Sequence, residues 1–205
     1  MGSTEAFIDR LPKAELHVHL VGSASVPTVL ELARRHPDGA RVPASEAELA
    51  AFYEFRDFPH FSQVYGAVSS LVREPADVAE LVLGAARDLA GQNVRYVELT
   101  VTPYTFTSAG MPVAGLTEAL DIAARSAGRE HGVRMAYIFD IAGEYGAPAA
   151  YATLEHALTC PPEALTGFGL AGIEQARHRY TDAFRSVFAS AIAAGAPYSP
   201  AISKM

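Results

Sequence analysis

The 205-residue sequence holds one cysteine, Cys160, so it can form no internal disulfide, which suits a reducing cytoplasm. Cys160 precedes Pro161-Pro162 with no cysteine partner nearby and reads as a plain structural residue. Long apolar runs are absent too: no stretch approaches ~18 uninterrupted apolar residues, which argues against a membrane-spanning helix. The opening MGSTEAFIDRLPK lacks the apolar core of a secretory signal. Positive charge is scarce. Lys and Arg number 16 against 23 Asp and Glu, a net charge of −7 with a pI near 5.5. That balance disfavours nucleic acid or an anionic membrane as partner and leaves a small molecule as the expected ligand. No internal repeat and no low-complexity tail interrupts the chain.

What is present fits a globular domain. Half of the residues are hydrophobic and 19% are charged. The length suits one domain over residues 1–205 with a sizeable core.

The most informative stretch is Leu11 to Gly22, LPKAELHVHLVG. Its centre, Ala14 to Leu20, reads as a short buried strand, and residues two apart on a strand face the same way. His17 and His19 therefore point together and suit two imidazoles sharing one metal ion. A histidine pair at i and i+2 is on its own more often a surface or core feature. The pair standing at the C-terminal end of a strand suits a site at the top of a barrel.

Further along, Val26 to His36 is helical, with Ser25 as N-cap and the His36-Pro37-Asp38-Gly39 turn as its end. Glu46 to Arg73 is dense in aromatics. Phe55, Phe58 and Phe61 recur every third residue, as one helical face interrupted near Pro59: either a core stripe or an apolar lid over a flat heterocycle. Pro75 to Gly91 is an amphipathic helix between proline and glycine. Val94–Val101, Val133–Ile141 and Thr166–Leu170 read as strands, with helices at Leu116–His131, Ala147–Leu158 and Tyr180–Gly195. Four strands separated by helices predict a parallel α/β sheet with right-handed crossovers, matching the first half of a (β/α)₈ TIM-type barrel.

The string LPKAELHVHLVG resembles the opening signature of the adenosine deaminase family, LPK-x-ELHxHL-x-G. Tyr96-Val97-Glu98 followed by Pro103 resembles its second barrel strand, and Gly167 to Glu174, GFGLAGIE, its G-x-DLAG-x-E element. The resemblance implies hydrolytic deamination of the 6-amino group of a purine nucleoside. It implies Zn²⁺ held partly by His17 and His19, with Gly172 offering its backbone N–H to a ring nitrogen and Glu174 as the acid of its element. It also implies an aromatic-bearing helix over the purine, which would carry Phe55, Phe58 and Phe61.

Several positions depart from the family pattern. Gly169 stands for the Asp of DLAG. Val21 stands where adenosine-specific members carry an Asp on the ribose 5′-hydroxyl, and cannot bond that group. Thr100 and Asp140 replace positions that are usually basic. VELTVTPY with FDIAGE looks like the 6-aminodeoxyfutalosine deaminase branch, with adenosine as the rival substrate. The family's H-A-G-E element, later H-G and Asp-Asp pair have no counterpart in the 205 residues. Residues 196–205 carry Pro197 and Pro200 without a strand pattern, an atypical tail. The competing expectation is therefore a non-catalytic half-barrel that exposes the edges of its first and fourth strands and a large apolar face, and self-associates. An HxH phosphoesterase of another barrel family is a third reading.

Overall fold

The computed structural model describes residues 4–38, 40–172 and 177–195. It begins with helix α1 (Thr4–Arg10), then strand β1 (Lys13–His19) and helices α2 (Val26–Arg35), α3 (Glu46–Phe52), α4 (Phe58–Ser69) and α5 (Pro75–Gly91). Strand β2 (Val94–Val101) leads through a short α6 (Pro103–Thr107) into α7 (Val113–His131) and strand β3 (Arg134–Ala142). Helix α8 (Gly146–Thr159), strand β4 (Leu165–Ala171) and helix α9 (Thr181–Ala193) complete it. The strands form one parallel sheet in the order β1-β2-β3-β4.

Alternation sorts the side chains of the sheet. Val97, Leu99 and Val101 of β2 and Tyr137, Phe139 and Ile141 of β3 are buried on the helix-covered face. The apolar spacing Leu116, Leu120, Ala123 and Ala127 turns one stripe of α7 onto that face, where the Tyr137 hydroxyl donates to the Leu120 carbonyl at 2.8 Å. Helix α5 repeats the pattern with Val78, Leu81, Val82 and Ala85 and packs beside α7 and β2. Gly132 closes α7 at φ 68°, a left-handed cap that lets the chain reverse into β3.

Three expectations need correction. β1 is not buried: Ala14, Glu15, Leu16 and His17 are exposed, Lys13, Val18 and His19 are partly covered, and of the expected strand Ala14 to Leu20 only Leu20 is buried. It lies at the sheet edge, so a neighbouring strand covers one side only. The open face of the sheet is not a large apolar surface, because His17, His19, Tyr96, Glu98, Thr100 and Asp140 supply it alongside Ala136 and Ile138. Nor does Pro59 interrupt a helix. It lies in the first turn of α4, where a missing N–H costs nothing, and Asp57 caps that turn by accepting from the His60 N–H at 2.8 Å. Phe55 consequently sits in the loop before α4 rather than on a shared helical face. The expected free edges are present: among the described residues, β1 and β4 each pair on one side only.

Candidate metal and ligand site

The chain turns sharply after β1, where Leu20 N–H still bonds the Thr100 carbonyl at 2.9 Å and Ser23 N–H bonds the His19 carbonyl at 2.9 Å. The Tyr53 hydroxyl pins the same turn by donating to the Ala24 carbonyl at 3.0 Å. Within β1 the pairing with β2 slips, so that Glu15 to Val18 spans Val97 to Leu99. A bulge of this kind re-aims side chains. Its outcome is that His17 and His19 converge, with their Nε2 atoms 3.3 Å apart and ring centroids at 5.2 Å.

Two nitrogens at about 2.0–2.1 Å from a tetrahedral zinc stand roughly 3.3–3.4 Å from each other. The dyad matches that span, so the residues fit the ion. Burial, and then the neighbouring His17, lower the pKa of His19 and favour the neutral imidazole that metal binding requires. Without an ion, one ring can donate to the other over the same distance. Among the described residues no third histidine, cysteine or carboxylate joins them. His156 packs on Phe139 at 4.8 Å on the helix-covered face of the sheet, and His178 is exposed in the turn before α9.

A second cluster stands on the same open face at the C-terminal ends of β2 and β3. The Thr102 hydroxyl donates to Asp140 Oδ1 at 2.5 Å, and Asp140 is 2% exposed. Burial pushes its carboxyl up to about 7; Glu144 adds to the shift and the Thr102 bond opposes it. Tyr65 of α4 feels both acids, and burial together with their charge raises its pKa. The ring of Tyr65 also reaches the turn after β1, 3.7 Å from where a Cβ on Gly22 would stand. Gly172 follows β4 at φ 88°, and a side chain there would run into the Glu144 carboxylate and come 3.0 Å from the Gly143 amide. Only glycine fits.

The other anticipated residues spread out. Phe55 and Phe61 meet edge to face at 5.3 Å, and Phe58 stacks on Phe61 at 5.9 Å. Phe61 continues to Tyr65 at 6.0 Å. Phe55 and Phe58 are 50% and 58% exposed, so this is a partly open aromatic run rather than a core stripe. Val21 is buried within the hydrophobic core. Glu174 lies outside the described residues.

Sequence reading passed over Tyr65, Thr102 and Glu144. Thr102 and Glu144 had a usable signal, their position just beyond strands whose C-terminal ends line the site in barrels. Tyr65 had a weaker one, its place in the aromatic-dense stretch Glu46 to Arg73, and only folding brings it near Asp140 and Glu144.

His36, Glu74 and Asp77 also place ligand-type atoms within 4.8 Å of one another. There Asp77 is already committed. Its Oδ1 accepts from Arg35 at 3.0 Å, while Oδ2 bonds His36 Nε2 at 2.7 Å and the Arg73 and Glu74 amides at 2.9 and 3.0 Å. It ties α2 to the first turn of α5.

The adenosine deaminase family model matches residues 12–200. An aminodeoxyfutalosine deaminase of Streptomyces avermitilis is 46% identical over 192 residues, which is 93% of this chain and 53% of that protein. An adenine deaminase of Cupriavidus pinatubonensis is 31% identical over 74% of this chain and 43% of its own length. The chain thus spans about half the length of the curated relatives it matches. Among solved structures, a zinc-bound amidohydrolase from Burkhoderia ambifaria superposes with TM-score 0.76 at 29% identity, covering 93% of this chain and 51% of that one. The adenine deaminase of Arthrobacter aurescens superposes at TM-score 0.78 and 23% identity, covering 90% of this chain and 55% of its own, a likeness of fold. The four β/α units are accordingly half of a (β/α)₈ barrel, and the chain belongs to the adenosine deaminase family.

Proposed function

We propose that this chain supplies the histidine dyad and one wall of the ligand pocket of a zinc-dependent hydrolase that removes the 6-amino group of a purine nucleoside. The observation that carries the reading is the 3.3 Å approach of the His17 and His19 Nε2 atoms on an open barrel face. Zinc bound there supplies Lewis acidity that brings the pKa of water toward neutrality. The chain's own residues do the rest of the work assigned to them. His17 and His19 hold the ion as neutral imidazoles. The Gly172 N–H donates to a ring nitrogen of the base, and the Phe55–Phe58–Phe61 run covers its flat face. Val21, buried in the core at the turn after β1, puts no hydrogen-bonding group toward a 5′-hydroxyl, so the pocket does not select for that group. The 46% relative points the same way, toward 6-aminodeoxyfutalosine, with adenosine and adenine as competitors.

The test is zinc titration by calorimetry together with ammonia release from the three candidate substrates. Wild-type chain should bind zinc, and His17→Ala or His19→Ala should weaken binding at least about ten-fold, since losing even a group that only orients a ligand costs that much. Ammonia should be released fastest from 6-aminodeoxyfutalosine; faster release from adenosine would remove the assigned substrate. Zinc affinity untouched by both alanine variants would remove the metal site. Zinc binding with no ammonia from any substrate would leave the second reading, a non-catalytic half-barrel, which the free edges of β1 and β4 favour.

A further inference from the structure

A concentration of positive charge lies at the other end of the strands from His17 and His19. Arg95 is the second residue of β2 and Arg134 the first of β3, while Arg125 and Arg129 stand in the C-terminal half of α7. All four line one cavity of about 490 Å³. A quarter of the chain's 16 basic residues therefore meet there, although the chain as a whole carries a net charge of −7. Cations in the last turn of a helix offset its dipole, which accounts for Arg129. It does not account for Arg95 and Arg134, which come from strands.

Glycines keep the cavity open. A Cβ on Gly128 would meet nothing within 4 Å, and one on Gly132 would stand 3.9 Å from Arg95 Nη1, so the Arg95 guanidinium lies beside the left-handed cap of α7. Ala124, Ala164 and the buried Met135 add an apolar wall. Asp121 and Glu163 line the cavity too, and both are engaged. Glu163 pairs with Arg125 at 3.1 Å, and Asp121 accepts the Glu163 N–H at 2.8 Å. Among the described residues the other three arginines form no salt bridge. Arg129 donates to Ser126 Oγ at 3.0 Å and Arg95 to Asn93 Oδ1, both neutral acceptors. Arg95, Arg129 and Arg134 thus bring uncompensated charge to one concave surface.

We infer that this cavity binds a small molecule through a phosphate group. Guanidinium groups are planar forks of N–H donors that match phosphate oxygens in pairs, and a phosphate monoester is close to a dianion at neutral pH. The volume is that of a small-molecule site, and the chain's negative surplus repels an extended polyanion such as nucleic acid. Free phosphate and a nucleotide share this chemistry; a nucleotide would also lay its uncharged part on the apolar wall.

The experiment titrates the 205-residue chain by calorimetry with inorganic phosphate, uridine 5′-monophosphate and uridine. A pyrimidine keeps the proposed purine site out of the measurement. Arg95→Gln and Arg129→Gln each remove one lining charge. Arg185→Gln removes one from an exposed position on α9 and matches the change in net charge. Wild type should bind phosphate or the monophosphate, and each lining variant should weaken that binding roughly ten-fold or more, the effect of losing a hydrogen bond to a charged group. Arg185→Gln should leave it unchanged. Tighter binding of the monophosphate than of inorganic phosphate assigns the cavity to a nucleotide; otherwise the ligand is free phosphate. Should one lining variant fail to fold by circular dichroism, the other carries the comparison. Absence of binding by both anions overturns the inference, as does uridine binding as tightly as its monophosphate. Lining variants that bind like wild type, or an equal loss in Arg185→Gln, overturn it as well, the latter because net charge alone would then explain the affinity.

Discussion

His156 and Asp140 are both buried titratable residues, yet burial drives them in opposite directions along the pH scale. The Thr117 hydroxyl donates to the Cys160 carbonyl at 2.6 Å, so its oxygen accepts from His156 Nε2 at 2.8 Å and the imidazole is neutral with its proton on Nε2. Burial lowers the His156 pKa to about 4. Between that value and the ordinary histidine value of 6.5 the unfolded chain binds a proton that the folded chain refuses, so this residue's contribution is complete above pH 6.5 and is lost as pH falls toward 4. Asp140, raised to about 7, works the other way. Its contribution is complete below the unfolded value of 3.8 and is lost as pH rises through 7. The two slopes partly cancel in the wild type, and a variant separates them. Relative to wild type, His156→Gln should gain roughly 3 kcal/mol in urea unfolding free energy on going from pH 7 to pH 4. A difference that does not change with pH would assign the histidine no such role. Of these two residues, only Asp140 was conspicuous in the sequence, as a replacement of a basic position. Its burial depends on β2, β4 and α4 closing round it, which no local pattern reports.

At the level of elements, α2 and α5 meet more closely than amphipathic spacing requires. A Cβ on Gly84 would stand 2.9 Å from Thr28 Cγ2 and 3.1 Å from its Cβ, with Thr28 itself 1% exposed. The Thr28 side chain is short and shares a 3.2 Å contact with Ser25 Oγ, so it cannot swing clear cheaply. Gly84→Ala should therefore lose roughly 1–3 kcal/mol in chemical denaturation, and a second change, Thr28→Ala, should recover most of it. Equal stability of Gly84→Ala and wild type would show that the helices separate freely. The sequence located α5 to the residue, Pro75–Gly91, because proline and glycine bracket an unbroken apolar stripe. It misjudged the aromatic segment. Three phenylalanines at spacing three look helical whether Pro59 breaks a helix or begins one, and the Asp57 cap decides that it begins.

For the whole molecule, the sheet ends at β1 and β4 among the described residues, and Leu16 on β1 is 58% exposed. Open parallel edges pair readily with other chains. The isolated 205-residue chain should thus show concentration-dependent association in sedimentation velocity, and a sharply cooperative melt from a monomer would contradict this. Fold class was legible because strand and helix patterns alternate in the sequence, and parallel pairing with right-handed crossovers leaves few other arrangements. The dyad was legible too, since side chains two apart on a strand face the same way wherever that strand lies. Two further properties needed the assembled sheet. One is the bulge that brings the His17 and His19 nitrogens to 3.3 Å, set by how β1 pairs with residues about 80 positions later. The other is the isolated Oδ2 of Asp140, created by Gly169 on one neighbouring strand and by Thr102 beyond the end of the other. Local sequence determines which residues face a site; what each of them lacks there is decided by partners distant in the chain.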